Sequence, residues 1–330
     1  MAFITLNKNN FFYNLEQIEH RSGSREKIAL VLKDNAYGHG LCEIAKLAQE
    51  YGIVKAVVRT DEEARSIEEF FEYVLVLADI PSAPSKKIHY TINDIRKIEN
   101  FPQNTQVELK VDTGMGRNGI SVDELQDALK LIKKQQLSLG AIFTHHSCAD
   151  ELNGNYEKQK REFEALKRRV PAGLRFHSCN SAALFREKCF DEDMVRVGIA
   201  AYGCLEMPQE LCNFDLKPVL SLYARQISQR EIKKGSRVGY GGTLLKEHSG
   251  VISNYDFGYA DGFLRYCSHN YITPDGVSIA GRISMDNSSF VSSAEELLIF
   301  DDAKEVARYA KTISYEILTS LKKKLSRRVI

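Results

Sequence analysis

Eight short, β-branched apolar runs separated by stretches of helical periodicity constrain the fold of this chain more than any other feature of its sequence. The runs are IALVLK (28–33), VKAVVR (54–59), YVLVLA (73–78), IHYTI (88–92), VELKVD (107–112), LGAIFT (139–144), LRFHS (174–178) and VRVGIAAYG (195–203). Between them, residues 41–51, 61–71, 122–135, 156–169 and 181–188 carry apolar residues three or four apart, the pattern of amphipathic helices. Continuous apolar strands alternating with helices imply a parallel sheet buried on both faces. Eight such units in about 200 residues predict a (β/α)8 barrel rather than an open sheet. In that architecture chemistry collects where strands end, which singles out Lys33, Asp112, His145, Asn180 and Arg196.

After Pro218 the texture changes to short alternating segments with turn glycines, as in VLSLYARQISQREIKKGSRVGYGGTL. The chain therefore divides into a barrel, residues 1–216, and a β-rich domain, residues 217–330. Helical periodicity returns only in DAKEVARYAKTISYEILTSLKKKL, which predicts one closing helix, with the basic run KKKLSRR as its solvated end.

The 45 Lys and Arg balance 44 Asp and Glu, a net charge of +1 that gives no whole-protein field for nucleic acid or a membrane surface. The seven cysteines are scattered without a C-x-x-C pair, which argues against a disulfide framework and against a structural metal site. The N-terminus has no basic segment followed by an apolar one, and no apolar run approaches the ~20 residues that span a bilayer. A cytoplasmic protein with small-molecule partners is the expectation.

Lys33 is followed by DNAYGHG, a turn holding an amide, two glycines, a phenol and an imidazole. A lysine desolvated in a barrel mouth favours its neutral amine, the form that makes a Schiff base with an aldehyde. Taken alone, a partly buried structural lysine is the commoner reading. Likewise a turn tyrosine packed on a strand is the plainer reading of Tyr259, and a surface salt bridge that of Arg196.

Eight further segments bear on that choice: VDTGMGRNG (111–119), FTHHSCAD (143–150), FHSCNSAALFR (176–186), VRVGIAAYG (195–203), VGYGGTL (238–244), FGYADGFLR (257–265), GRISMDN (281–287) and TISYEIL (312–318). With KDNAYGHG they resemble, in order and spacing, the motifs of the alanine racemase family, and the resemblance covers essentially the whole chain. It implies a barrel followed by a β domain, pyridoxal 5′-phosphate as cofactor, and a homodimer with composite active sites that supplies D-alanine for a cell wall. Lys33 would anchor the cofactor and act as the base on one face of the substrate Cα, and Tyr259 would be the opposite base, reaching in from the second subunit. Two bases are what inversion requires, since one removes the Cα proton while the other delivers a proton to the far face. A phenol with its ordinary pKa near 10 needs a neighbouring cation for that role, and the resemblance assigns His145 and Arg196 to support it.

The resemblance further places Arg196 at the pyridine nitrogen, where a guanidinium donates but cannot accept a proton. It assigns the phosphate to Tyr37, Ser181, the backbone N–H groups of Gly198 and Ile199, and Tyr315, with Asn180 and His177 supporting that side. A capping role fits Asn180 equally well. Arg117 would hold the phenolic oxygen and the substrate carboxylate. Lys110 would be a carbamylated lysine holding Arg117. Met285 would present its backbone N–H near the substrate carboxylate, with Asp286 beside it. A racemase of serine or of broad specificity, and a carrier that binds the cofactor without turnover, are the rival readings. Asp34 stands where the family has a small residue, Ser284 replaces a common cysteine, and residues 290–302 are compressed, which bears on the end of the β domain and the rim of a dimer interface.

Overall fold

The computed structural model describes every residue except 171 and 246–248. Eight parallel strands form the larger sheet: β2 (Ile28–Val31), β3 (Lys55–Val58), β4 (Tyr73–Val76), β5 (Ile88–Ile92), β6 (Gln106–Lys110), β7 (Ser138–Phe143), β8 (Arg175–His177) and β9 (Val195–Val197). They run in sequence order from β8 back to β2, and β9 pairs with β2. The barrel read from the eight apolar runs is therefore present, each run holding one strand. The last is shorter than the sequence suggests: after Val197 the chain turns at Gly198, where Ala201 donates to the Gly198 carbonyl at 2.9 Å.

β8 and β9 meet without a regular ladder. Their seam is closed by backbone bonds from Arg196 to Cys179 (3.0 Å) and Asp193 to Phe176 (3.3 Å). Side chains complete it, the Glu192 carboxylate accepting from the amides of Ser178 (2.6 Å) and Cys179 (3.1 Å) and the Asp193 carboxylate from that of Phe176 (2.8 Å). Buried N–H groups that lack a strand partner thus find a carboxylate instead.

Around the barrel lie α1 (Lys8–Ser22), α2 (Leu41–Tyr51), α3 (Asp61–Ile67), α4 (Leu125–Lys134), α5 (Asn155–Lys167) and α6 (Ser181–Arg186). The span read as a helix over 61–71 ends at Ile67 and continues as a 3-10 turn over Glu68–Phe70, and a 3-10 segment, Ile95–Asn100, follows β5. α1 was not read from the sequence. Asn7 caps it by accepting from the Asn10 amide, and its buried Asn14 bonds to the carbonyls of Ala201 and Lys217, which fixes the helix to the turn beyond β9.

The second sheet is built on β10 (Leu220–Ile232), which pairs with β1 (Phe3–Leu6), with β13 (Gly250–Tyr255) and with β15 (Glu296–Phe300). A short ribbon, β11 (Arg237–Val238) with β12 (Thr243–Leu244), precedes β13, and β14 (Ser288–Phe290) pairs with it. The compressed 290–302 stretch still supplies β15, and the strand closes on β10. β1 precedes the barrel in the chain but belongs to this sheet in space.

The single closing helix expected over 302–325 is a correction. The segment breaks at Lys311, whose φ is 54°, into α7 (Ala303–Ala310) and α8 (Ser314–Ser320), and ends as β16 (Ser326–Val329). The run KKKLSRR is therefore no solvated helix end. β16 lies parallel to β1, Phe3 opposite Ser326 and Leu6 opposite Val329, so pairing with a distant strand overrides local helical propensity. Most buried apolar side chains of the barrel and second sheet form one continuous core, and Val238, Ile252 and Ala280 form a small separate cluster. Among the described residues no helix is long and apolar enough to cross a membrane.

The tail reaches the loop that follows Lys33. Gly38 has φ 76°, and a Cβ built there would lie 2.0 Å from the Leu318 carbonyl oxygen of α8. Gly38→Ala is expected to lower unfolding stability by at least about 3 kcal/mol, whereas Gly23→Ala, at φ 77° with nothing within 4 Å, costs only about 1 kcal/mol. Urea midpoints measured on both variants check this, and equal losses would refute the packing argument.

Candidate active site

Lys33 leaves β2 into a turn of unusual hand. Asp34, Asn35, Ala36 and Tyr37 have φ of 53°, 58°, 51° and 51°, a left-handed run that costs roughly 1–2 kcal/mol per residue for L side chains. The surroundings over-determine it. Asn35 receives the Leu41 amide at 3.0 Å, Asp34 pairs with Arg59 at 3.3 Å, and His39 Nδ1 bonds to the carbonyls of Ala36 and Tyr37 while its ring stacks on Tyr202. Arg327 of β16 donates to the Gly38 carbonyl at 2.7 and 3.0 Å.

This turn sends Lys33 and Tyr37 into one cavity of about 770 Å³ at the C-terminal ends of the barrel strands. Lys110, Arg117, His145 and Arg196 line one part of it, and Asn180, Ser181, Gly198, Ile199 and Tyr315 another. Eleven residues singled out from the sequence thus share one space. Asp112 does not: its carboxylate accepts the amides of Gly114, Met115 and Gly116 and shapes the loop that presents Arg117.

The cavity is cationic, with Lys33, Arg59, Lys110, Arg117 and Arg196 against Asp34, Asp150 and Glu206. Burial lowers the pKa of Lys33; Asp34 opposes the shift and Arg117 adds to it. Burial, then the charges of Arg117 and Arg196, bring Lys110 down to about 8. Both amines are therefore closer to their neutral, nucleophilic forms than an exposed lysine. Arg196 is almost fully buried and donates to the carbonyls of Thr144 (2.7 Å), Ser178 (3.0 Å) and His177 (3.3 Å), with His145 Nδ1 3.4 Å away. Burial and this cation push the His145 pKa well below the usual histidine value.

At the other end, Ser181 Oγ accepts from the amides of Gly198 (3.2 Å) and Ala200 (3.4 Å), and the rings of Tyr37 and Tyr315 lie 5.8 Å apart. A Cβ at Gly198 would sit 2.9 Å from the Tyr37 hydroxyl, so only glycine admits the phenol here. Hydroxyls, backbone N–H groups and surplus positive charge suit a phosphate monoester, and a lysine with a lowered pKa suits an aldehyde. The residues present fit pyridoxal 5′-phosphate. Asn180 does cap α6, accepting from the Ala183 amide at 2.9 Å, and lines the cavity as well.

Tyr259 and Met285 stand apart from this cavity. Tyr259 is 42% exposed and Met285 60%. Their loops are fastened together, Tyr259 donating to the Ser284 carbonyl at 3.0 Å and Ala260 to that of Met285 at 2.7 Å. A Cβ at Gly258 would lie 2.5 Å from the Met285 oxygen, so the glycine permits this approach. Asp286 belongs to the same loop.

Glu108 and Glu192 escaped the sequence reading. Glu108 carried a signal, a carboxylate in the middle of a buried strand two residues before Lys110 and hence on the same face. Glu192, in the acidic run DEDM before β9, carried none. Three further imidazoles, buried His39 and His146 and partly buried His89, have pKa values held near 4, chiefly by desolvation. Their folded pKa lies below the unfolded 6.5, so protons bind preferentially to the unfolded chain and stability falls as pH drops from 6.5 towards 4. Each adds up to roughly 1.4 kcal/mol per pH unit. Urea unfolding between about pH 7 and pH 5 should show this slope, and a flat profile would contradict it.

Comparison with known proteins agrees with this geometry. The profile of the alanine racemase N-terminal domain matches residues 6–206 and that of the alanine racemase C-terminal domain residues 219–329. An alanine racemase of a Nitratiruptor species is 44% identical and one of Campylobacter jejuni subsp. jejuni is 40% identical, each alignment covering 99% of both chains. A crystal structure of a Bacillus anthracis alanine racemase with bound L-Ala-P superposes with a TM-score of 0.90 at 27% identity, covering all of this chain and 95% of that one. A histidine racemase of Leuconostoc mesenteroides subsp. sake, 24% identical with a TM-score of 0.88, has the same fold. Two family profiles together spanning residues 6–329, and relatives 40–44% identical over nearly their full length, show that this chain belongs to the alanine racemase family of pyridoxal 5′-phosphate-dependent isomerases.

Proposed function

We propose that the chain interconverts L- and D-alanine with two bases, Lys33 and Tyr259 of the partner subunit, in a homodimer whose active sites are each completed by the other copy. One observation carries this reading. The cavity holds a desolvated lysine, whereas the loops of Tyr259 and Met285 are locked to each other, exposed and outside it. A second copy satisfies both facts.

When bound at Lys33, pyridoxal 5′-phosphate supplies an electrophilic ring that draws electron density from the substrate Cα. Tyr37, Ser181, Gly198, Ile199 and Tyr315 would bind and orient the phosphate, with Asn180 beside them, whereas His177, expected on that side, lies instead between Glu108 and Arg196. Arg196 donates to the ring nitrogen and cannot accept its proton. Arg117 turns its planar fork to the substrate carboxylate, joined by the backbone N–H of the partner subunit's Met285. The freed Lys33 Nζ holds or returns the Cα proton on one face, and the hydroxyl of the partner subunit's Tyr259 does so on the other, supported by His145 and Arg196. Tyr315 and the partner's Met285 narrow the mouth and favour a methyl side chain, which supports alanine over serine. In a cytoplasmic setting the product would serve a peptidoglycan wall.

Lys110 we assign as a carbamylated lysine. Its pKa near 8 makes the neutral amine accessible beside Arg117. Addition of CO2 forms one N–C bond and releases one proton, leaving an anion to hold that guanidinium. The mass of the native protein should exceed that of the acid-treated protein by one CO2, and Lys110→Ala should remove the difference. Identical masses would overturn the assignment.

Purified protein should show a visible cofactor band that Lys33→Ala abolishes, and should racemise L-alanine. Lys33→Ala and Tyr259→Phe should each lose most activity in at least one direction, and mixing the two after dissociation should restore it, because one site of the mixed dimer has both bases. Cofactor binding without loss of optical rotation from L-alanine would point to a carrier. Absence of complementation would overturn the composite site.

A further inference from the structure

Glu108 is fully buried in β6, and the reaction above makes no use of it. Its carboxylate accepts from Tyr73 Oη at 2.7 Å, from Arg175 Nη2 at 2.9 Å and from His177 Nε2 at 2.8 Å, and His89 Nδ1 lies 3.7 Å away. Burial pushes this carboxyl up, but His177, Arg175 and Tyr73 outweigh burial and keep it ionised. Arg175 is partly exposed at the start of β8, so the cluster begins at the floor of the barrel, opposite the cavity.

The other ring nitrogen of His177, Nδ1, receives Arg196 Nη1. A guanidinium has donors only, so Nδ1 must offer a lone pair, and the single proton of the neutral ring sits on Nε2, facing Glu108. Burial lowers the His177 pKa, consistent with neutrality. Arg196 makes no direct ion pair among the described residues. Glu192 and Glu108 offset its charge from a distance, and Glu108 does so through an imidazole that donates to one side and accepts on the other.

We propose that Glu108 is a positioning residue of the racemisation: by fixing the His177 tautomer that accepts from Arg196, it holds the guanidinium toward the cofactor ring. The inference rests on the reading that Arg196 faces the ring nitrogen. In Glu108→Gln an amide N–H opposes either His177 or the Arg175 and Tyr73 donors, so the ring is freed to place its proton on Nδ1, against Arg196.

The experiment uses the cofactor-loaded dimer. Glu108→Gln should bind cofactor at full stoichiometry through Lys33 yet displace its visible absorption maximum. It should also lower kcat at least about tenfold with KM within about threefold, and Glu108→Asp should recover part of both. In the wild type, 15N NMR of labelled histidine should find His177 Nδ1 unprotonated and Nε2 protonated, a readout that stands even where the Gln variant does not fold. Unchanged kcat and spectrum in Glu108→Gln, or a proton on Nδ1, overturns the relay. An Arg196→Lys variant separates the two claims: if it leaves the absorption band unaltered, the placement of Arg196 is overturned, and if it alters the band while Glu108→Gln does not, the relay alone falls.

Discussion

A buried guanidinium is costly unless its donors are satisfied, and the mouth of this barrel is arranged around that requirement at Arg196. Carbonyls from Thr144, His177 and Ser178 and the Nδ1 atom of His177 receive its N–H groups. Those acceptors come from the ends of β7 and β8, while Arg196 itself belongs to β9 across the seam. The strands must therefore close into a near-barrel before the cation is solvated by protein. Glu192 joins the two requirements, since its carboxylate completes the β8–β9 seam and also lowers the potential at Arg196.

A second constraint couples the two ends of the chain. The left-handed run after Lys33 is unfavourable in isolation, and part of what holds it comes from the last residues, through Arg327 on the Gly38 carbonyl and the close approach of α8. β16 itself is held by β1, which begins the chain. The geometry around Lys33 thus depends on strands some 300 residues apart in sequence, and the second sheet acts on the cavity within its own chain.

Much of the architecture was legible because periodicity is local. Each of the eight apolar runs carries a strand, and the residues at their ends converge because a barrel brings strand ends together. Lys33, Tyr37, Arg117 and Tyr315 could be named from motifs that keep their order and spacing. Local pattern does not report the break of the closing segment, because β16 depends on pairing with β1, nor does it report α1, whose polar face outweighs a narrow buried stripe of Phe11, Asn14, Leu15 and Ile18.

Side-chain pattern and residue type alone specify the eight barrel strands, the β-rich texture after Pro218 and the residue types that meet in the cavity, but not the membership of β1 in the second sheet. Tertiary structure alone decided that Glu108 reaches Arg196 through His177, that the tail braces the loop of Lys33, and that Tyr259 stands outside the cavity of its own chain. Contacts between distant strands, and the choice of which face of a loop is left exposed, are set by long-range packing, on which local periodicity carries no information. Lys33 is legible as an amine at a strand end; its lowered pKa belongs to the cavity the whole fold encloses.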